Sequence, residues 1–483
     1  MKDSSSPHLV RQIGLGSGIA VVVGSTIGSG IFRSPSDIAG NLPGPVPMLL
    51  AWLVGGLLVL CGALTLAEVG GAYPYSGGLY VYIREAFGRV VAFVFGWTQL
   101  VLLRPASIGA VAVVFGNYAL RLFGITDSDP RFVTWSAGLA IVAVVVVTIA
   151  NVIGVKFGTG IQDLTTIAKT AGLLVLILIA FGVGMSHHEA HFTPAMPEGS
   201  FSVSLFGLAL VSTLWAYDGW ADGSYVGGEM VDARKNLPRA ILFGTLIIIG
   251  VYILANLAYL CVFSVQDISK SSGIAADAMQ KLVGPWGVAF ISATVMISTF
   301  GTLNGSVLTS PRIFFAMSED RLFFPKIAAV HPTYKTPYVS VILCGALGIL
   351  YIVLATMMSG SKAFGALTDA FVIGIVPFYA LSVASVFVFR RREIKRKAAM
   401  DETDDSLVDP VEPGHLETHP HAYSPEVHVP LYPIVPALFI ASAVYLLVNS
   451  LLDANSRMPT VITLGLVLAG IPLYYGTIAR RKA

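Results

Sequence analysis

The chain is predicted to be an all-α membrane protein of about twelve transmembrane helices, and three observations predict it. Of its 483 residues 55% are hydrophobic and only 12% charged, about half the ~25% charge of an ordinary soluble domain. Its mean hydropathy is +0.76. Twelve apolar stretches each approach the roughly 20 residues needed to cross a hydrocarbon core of about 30 Å. So little charge leaves too little polar surface to coat a particle in water, so the solvent is lipid. In lipid each segment must satisfy its own backbone, which excludes open sheets and leaves helices.

The stretches run over approximately 12–39, 46–72, 88–121, 132–151, 162–185, 201–228, 238–263, 284–316, 338–358, 365–389, 431–451 and 459–478. A polar tail, 1–11, precedes the first. That stretch is too long and too broken by glycine for a signal peptide and lacks a small-residue cleavage site, so it is expected to be retained. Spans 1–10 make a core over 12–390, with halves at about 12–185 and 201–390; spans 11–12 and the C-terminus occupy 430–483. Lys and Arg gather on one side of the membrane: Lys2, Arg11, Arg84, Lys156, Arg234, Lys235, Arg239, Arg321, Lys326, Lys335, the run Arg390 to Lys397, and Arg480 to Lys482. The other side holds little beyond Arg131, Lys270, Lys281, Lys362 and Arg457. This bias predicts two cytoplasmic termini in a multi-pass protein of the cell membrane. The connection 391–429 turns from basic to acidic and proline-rich, which predicts a disordered cytoplasmic insert.

Two spans do not read as simple helices. The first has Gly24-Ser25-Thr26-Ile27-Gly28-Ser29-Gly30 at its centre, followed by Arg33 and Pro35. The sixth has Trp215-Ala216-Tyr217-Asp218-Gly219-Trp220-Ala221-Asp222-Gly223, with two acids at membrane depth. They lie five spans apart, so each opens a five-helix block. Interrupted helices at matching positions of two halves point to a transporter site at the bilayer midplane. Unwinding frees backbone N–H groups, which at a half-helix N-terminus suit a carboxylate. Unwound carbonyls, with Asp218 nearby, suit an ammonium, so the pair suits a zwitterion. A lone Gly24/Gly28 pair would read as a G-x-x-x-G packing face; two breaks in register, one with acids, favour the site.

The first segment, VGSTIGSGIFRSP, resembles the glycine-rich signature of the amino acid–polyamine–organocation superfamily. Four more segments, LAEVGGAYPYSGGLYVYIREAFG, LLRPASIGAVAVVFGNY, WAYDGWADGSYVGGEMVDARKNLPRAI and LNGSVLTSPRIFFAMSEDRLFFPKIAAVHPTYKTP, are similar to the L-type amino acid transporters, light subunits of heteromeric transporters, and their bacterial relatives. The resemblance covers nearly the whole chain. It implies the LeuT-type fold, two inverted five-helix repeats plus two C-terminal helices. It also implies that Thr26, Ile27, Gly28, Ser29 and Gly30 hold the substrate carboxylate, and that Trp215, Ala216, Tyr217, Asp218 and Gly219 hold the amine, with Trp215 as a gate. Lys169 in span 5 resembles the lysine that fills a sodium position in this family, which implies sodium-independent coupling; from the sequence alone it also reads as a snorkelling interfacial lysine. Two departures stand out. The family usually has a small residue where Asp218 stands, and the loop 124–131 lacks the cysteine that links a heavy chain, so no disulfide-linked partner is expected.

A charge near the bilayer centre costs about 2.5–3.5 kcal/mol on insertion scales, so each needs a partner or a role. Arg104, near the middle of span 3, is expected to pair with an intramembrane acid or to satisfy carbonyls; Asp218 and Asp222 are candidates for the site or for pairs with Arg104 or Lys169. Arg33 reads as structural, near the outer end. Glu68, Asp163, Glu229 and Arg312 read as solvated helix ends, or as ion pairs that latch an inner gate. The histidines all fall in tails or connections, HHEAH at 187–191 has weak metal spacing, and the sequon at Asn304 lies inside span 8. There is no phosphate loop, nucleophile elbow or zinc-type cysteine pair, so no enzyme, metal, cofactor or nucleic-acid partner is expected. The implied activity is secondary transport by alternating access: exchange or proton symport of neutral L-amino acids. Cationic amino acids or polyamines remain open through Asp218, as does a sensor that binds without flux.

Overall fold

The structure is a computed structural model that describes residues 13–479 apart from 76, 154, 185–190, 325, 328, 330, 335 and 403–422. Residues 187–190 of the expected motif at 187–191, Lys335, the termini 1–12 and 480–483, and the side chains of Lys156, Asp163 and Arg312 lie outside the described residues. In order, the helices are α1 Leu15–Thr26, α2 Gly30–Asn41, α3 Pro45–Ala72, α4 Leu79–Phe87, α5 Arg89–Thr98, α6 Arg104–Leu122, α7 Phe132–Ile153 and α8 Val155–Ile179. Then come α9 Val203–Tyr217, α10 Ala233–Val262, α11 Val265–Lys270, α12 Ile274–Val283, α13 Pro285–Glu319, α14 Tyr338–Ser359, α15 Ala363–Glu402, α16 Ile434–Leu452, α17 Arg457–Leu468 and α18 Gly470–Leu473. Among the described residues the only strand-like contact is a bridge between Ile13 and Met230.

Nine helical stretches among the described residues are long and apolar enough to cross a membrane, and the bent pair α1 and α2 makes ten. The count of twelve expected above differs at two places. One stretch, Tyr338–Ala398, is really α14 and α15 separated by the turn Gly360–Lys362. The other is α9, whose 15 residues stop short of a full crossing at Tyr217. The outer surface is apolar, with Leu57, Val142, Ile149, Leu178 and Val444 at about half exposure or more, whereas Glu68, Lys169 and Arg104 are buried. That inversion suits lipid outside and polar groups within the bundle.

Prolines inside the helices show how the bundle repays its backbone. Pro105 has no N–H for the Val101 carbonyl one turn back. A π-turn, Gln99–Leu103, forms there, and the Tyr351 hydroxyl donates to Val101 O at 2.6 Å instead. Pro35 leaves Ile31 O without its helical donor, and Tyr259 supplies one at 3.3 Å. Small residues set the close crossings: a Cβ on Gly345 would stand 2.3 Å from Thr148 Oγ1, and one on Gly116 would stand 2.2 Å from Ser136 O.

The connection 391–429, expected to be disordered, is ordered at both ends. Helix α15 continues to Glu402, held by pairs between Glu393 and Arg396. The segment 423–429 packs back on the bundle, with Tyr423 stacked on Phe389 at 5.5 Å between ring centroids. An aromatic ring and a carboxylate partner outweigh the polar composition there.

Candidate functional site

Helix α1 loses its ladder at Ile27, which still bonds Val23 O but turns to an extended conformation, φ −71° and ψ 91°. The chain bends through 45° and resumes as α2 at Gly30. The last carbonyls of α1 therefore need outside donors, and two side chains supply them. The Lys169 ammonium donates to Gly24 O, and the Tyr252 hydroxyl to Thr26 O at 2.8 Å. On the far side of the break, the first amides of α2, from Gly30 on, have no carbonyl a turn earlier to bond. Thr26, Ile27, Gly28, Ser29 and Gly30 are all buried.

The second break opens at Asp218, extended at φ −60° and ψ 145°. Gly219 follows at φ +109°, a conformation that favours glycine. The chain then continues as a 3₁₀ helix, Asp222–Glu229. The two breaks cross backbone against backbone. A Cβ on Gly30 would lie 2.5 Å from Ala216 Cα, and one on Gly219 would lie 2.8 Å from the backbone of Ser25 and Thr26. No larger residue fits at either position, which explains both glycines.

The side chains around the crossing are a mixture of rings and a few charges. Trp215 is buried, edge-on to Phe371 at 5.1 Å and Phe364 at 6.2 Å, and its indole N–H has no hydrogen-bond partner among the described residues. Tyr217 donates to Trp52 O at 3.2 Å. Asp218 accepts from the Tyr379 hydroxyl; both line a narrow crevice that is otherwise mainly apolar, between α3, α9, α15 and α16. Arg104 donates Nε to Gln99 Oε1 at 3.0 Å and feels the charges of Asp222 and, more weakly, Asp218. Asp222 also faces Ser25. Both acids thus share an electrostatic neighbourhood with Arg104, and Lys169 serves the other break.

Lys169 is wholly buried on a carbonyl rather than snorkelling to an interface. Arg33 pairs with Asp37 one turn on, at 3.1 Å. Glu68 departs from the expected solvated end: it is wholly buried and accepts from Arg390, Tyr423 and the Val429 amide. Its partners lie more than 300 positions away, so spacing carried no sign of them. Glu229 is half-buried, with its carbonyl accepting from the Ile13 amide at 3.0 Å. Reasoning from the sequence missed Tyr252, Tyr379 and Gln99. The available signal was a hydroxyl or amide at membrane depth, which must find a partner.

A family model for amino acid permeases matches residues 13–470. The chain is 34% identical over 482 residues to the serine/threonine exchanger SteT of Bacillus subtilis, covering 98% of each chain. It is 30% identical to the large neutral amino acids transporter small subunit 2 of Rattus norvegicus, over 97% of this chain and 80% of the relative. With the human b(0,+)-type amino acid transporter 1 it shares 29% identity, over 82% of this chain and 80% of the relative. A match over almost the whole length, on a helical bundle with two crossed breaks, makes this chain a member of the amino acid permease family.

Proposed function

We propose that the chain is a sodium-independent exchanger of neutral L-amino acids, serine, threonine and leucine among them, bound between the two breaks and moved by alternating access. One observation carries this reading: the breaks touch at Gly30 and Ala216 and at Gly219 and Ser25. Unpaired amides of α2 and the carbonyls of the second break therefore meet at one point, as a zwitterion requires. Lys169 supports sodium independence, because its ammonium already takes the Gly24 carbonyl that a cation would use. The similarity to an exchanger of serine and threonine supports the mode and the substrate size. In this reading the fold is two inverted repeats, about 12–185 and 201–390, plus two further spans. The chain lies in the cell membrane with both termini cytoplasmic and works without a disulfide-linked heavy chain.

A second reading, transport of cationic amino acids or polyamines, is favoured by Asp218, an acid at the break with the Tyr379 hydroxyl as its donor. Uptake of radiolabelled serine, threonine, leucine and arginine into proteoliposomes separates the readings. Neutral uptake that needs internal amino acid and ignores sodium is the expected result. Sodium-driven uptake would refute the role given to Lys169, and arginine uptake alone would establish the second reading.

A further inference from the structure

The face that carries Glu68, Arg84, Asp320 and Arg390, inner in the orientation proposed above, is crossed by one continuous run of polar contacts. Glu68, near the end of α3, takes four donors on its two oxygens. They are Arg390 Nε at 2.8 Å and Nη2 at 2.6 Å, the Tyr423 hydroxyl at 2.7 Å and the Val429 amide at 2.7 Å. Two residues on, Arg392 donates to the Glu85 and Ala86 carbonyls of α4, at 2.6 and 3.1 Å. From α4, Arg84 pairs with Asp320, just past α13, and Tyr80 donates its hydroxyl to the same carboxylate. Arg89 adds a bond to the Asp320 carbonyl at 2.9 Å. The run ties α3 to α15, α15 to α4, and α4 to α13.

The joints at its two ends are unlike. Glu68 is wholly buried, and the rings of Tyr73, Phe389 and Tyr423 close over it at centroid separations of 4.7 and 5.5 Å. Opening that joint would strand a buried carboxylate and a backbone amide, the costly case for an ion pair. At the other end, Arg84 and Asp320 each keep 28% of their side-chain surface exposed. Arg84 also holds Glu85 at 2.7 Å, so water and Glu85 replace Asp320 on Arg84 when the pair parts, and the loss, the Tyr80 hydroxyl's acceptor included, is smaller than stranding the wholly buried Glu68 carboxylate.

We infer that the Arg84–Asp320 joint parts each time the inner face opens, whereas residues 423–429 are a fixed strap holding α3 and α15 together throughout the cycle. The inference rests on the alternating-access reading. Glu68, Arg390 and Tyr423 are positioning residues in this scheme, remote from the crossing of the breaks.

Paired cysteines in the full chain test it: Arg84→Cys with Asp320→Cys, and Tyr73→Cys with Tyr423→Cys, whose rings lie 6.1 Å apart. Uptake into proteoliposomes is measured before and after a short bis-methanethiosulfonate crosslinker, with whichever amino acid the unsubstituted chain carries. That chain, with Cys61, Cys261 and Cys344, is the blank. Uptake in the reduced state shows that each pair folds. Closing the 84–320 pair is expected to cut uptake tenfold or more, with recovery on reduction, and closing the 73–423 pair to leave it within twofold. Loss of uptake on closing 73–423, or failure of 73 and 423 to crosslink in active protein, would overturn the strap, and full uptake with 84–320 closed would overturn the moving joint. Absence of amino acid uptake by the unsubstituted chain counts instead against the function proposed above.

Discussion

Gly30→Ala gives the sharpest test of the crossing between the two breaks. The new Cβ would stand 2.5 Å from Ala216 Cα and 2.8 Å from Ala216 Cβ. Both are parts of a helix with no flexible end to swing away, so α2 or α9 must move. Overpacking of this kind costs about 1–3 kcal/mol, which is about 5- to 150-fold in any equilibrium that depends on the contact. Gly40→Ala is the control, since it lies in the same helix and its Cβ would meet nothing within 4 Å. There the substitution gains a few tenths to about 1 kcal/mol from lost chain entropy. Both variants are reconstituted at equal amounts, and initial uptake and thermal midpoint are read together. Uptake by Gly30→Ala is expected to fall at least fivefold, with a lower midpoint, while Gly40→Ala matches or exceeds the unsubstituted chain. If Gly30→Ala tracks Gly40→Ala within twofold on both measures, the breaks do not meet as described.

Three further outcomes follow from the same geometry. Lys169→Met removes a charged donor from Gly24 O, worth about 1.5–3 kcal/mol for such a bond, so uptake should fall tenfold or more without any sodium dependence appearing. Tyr252→Phe removes the neutral donor to Thr26 O and at about 1 kcal/mol should cost only about fivefold in uptake; a loss as large as that of Lys169→Met would contradict the ranking. Asp218→Asn keeps an acceptor for Tyr379 but removes the charge, so competition by arginine and lysine should weaken while that by serine is unchanged. Equal weakening for all three would place Asp218 in structure rather than selectivity.

The glycine runs at Gly24 to Gly30 and at Gly219 marked both breaks, because unwinding is a local property of the chain and local residues announce it. The apolar stretches did the same for the helices, apart from α9, where the break itself removes the length that a span shows. What the sequence did not disclose was who answers the freed groups. Thr26 O is met by Tyr252, 226 positions on, and Asp218 by Tyr379, 161 positions on. Glu68 read as a solvated end or as half of an ion pair, and its partners stayed hidden for a related reason. An acid near a helix end is usually solvated, and here the solvent is replaced by Arg390 and by a segment whose composition looked disordered. Long-range partners are set by packing, and no single segment encodes them.

The 3₁₀ segment Asp222–Glu229 has a consequence for length. Eight residues at about 2.0 Å each span about 16 Å, whereas an α-helix of eight would span about 12 Å at 1.5 Å each. The far end is hitched to the entry of α1, where Ile13 bonds Glu229 O at 3.0 Å and Val231 bonds Ile13 O at 2.9 Å. Relaxing the segment from 3₁₀ to the wider α-helical winding would therefore shorten it by about 4 Å and draw in the foot of α1 by that amount. Spin labels at 221 and 231 read this directly, as a distance that shortens when the segment relaxes from 3₁₀ to α-helix.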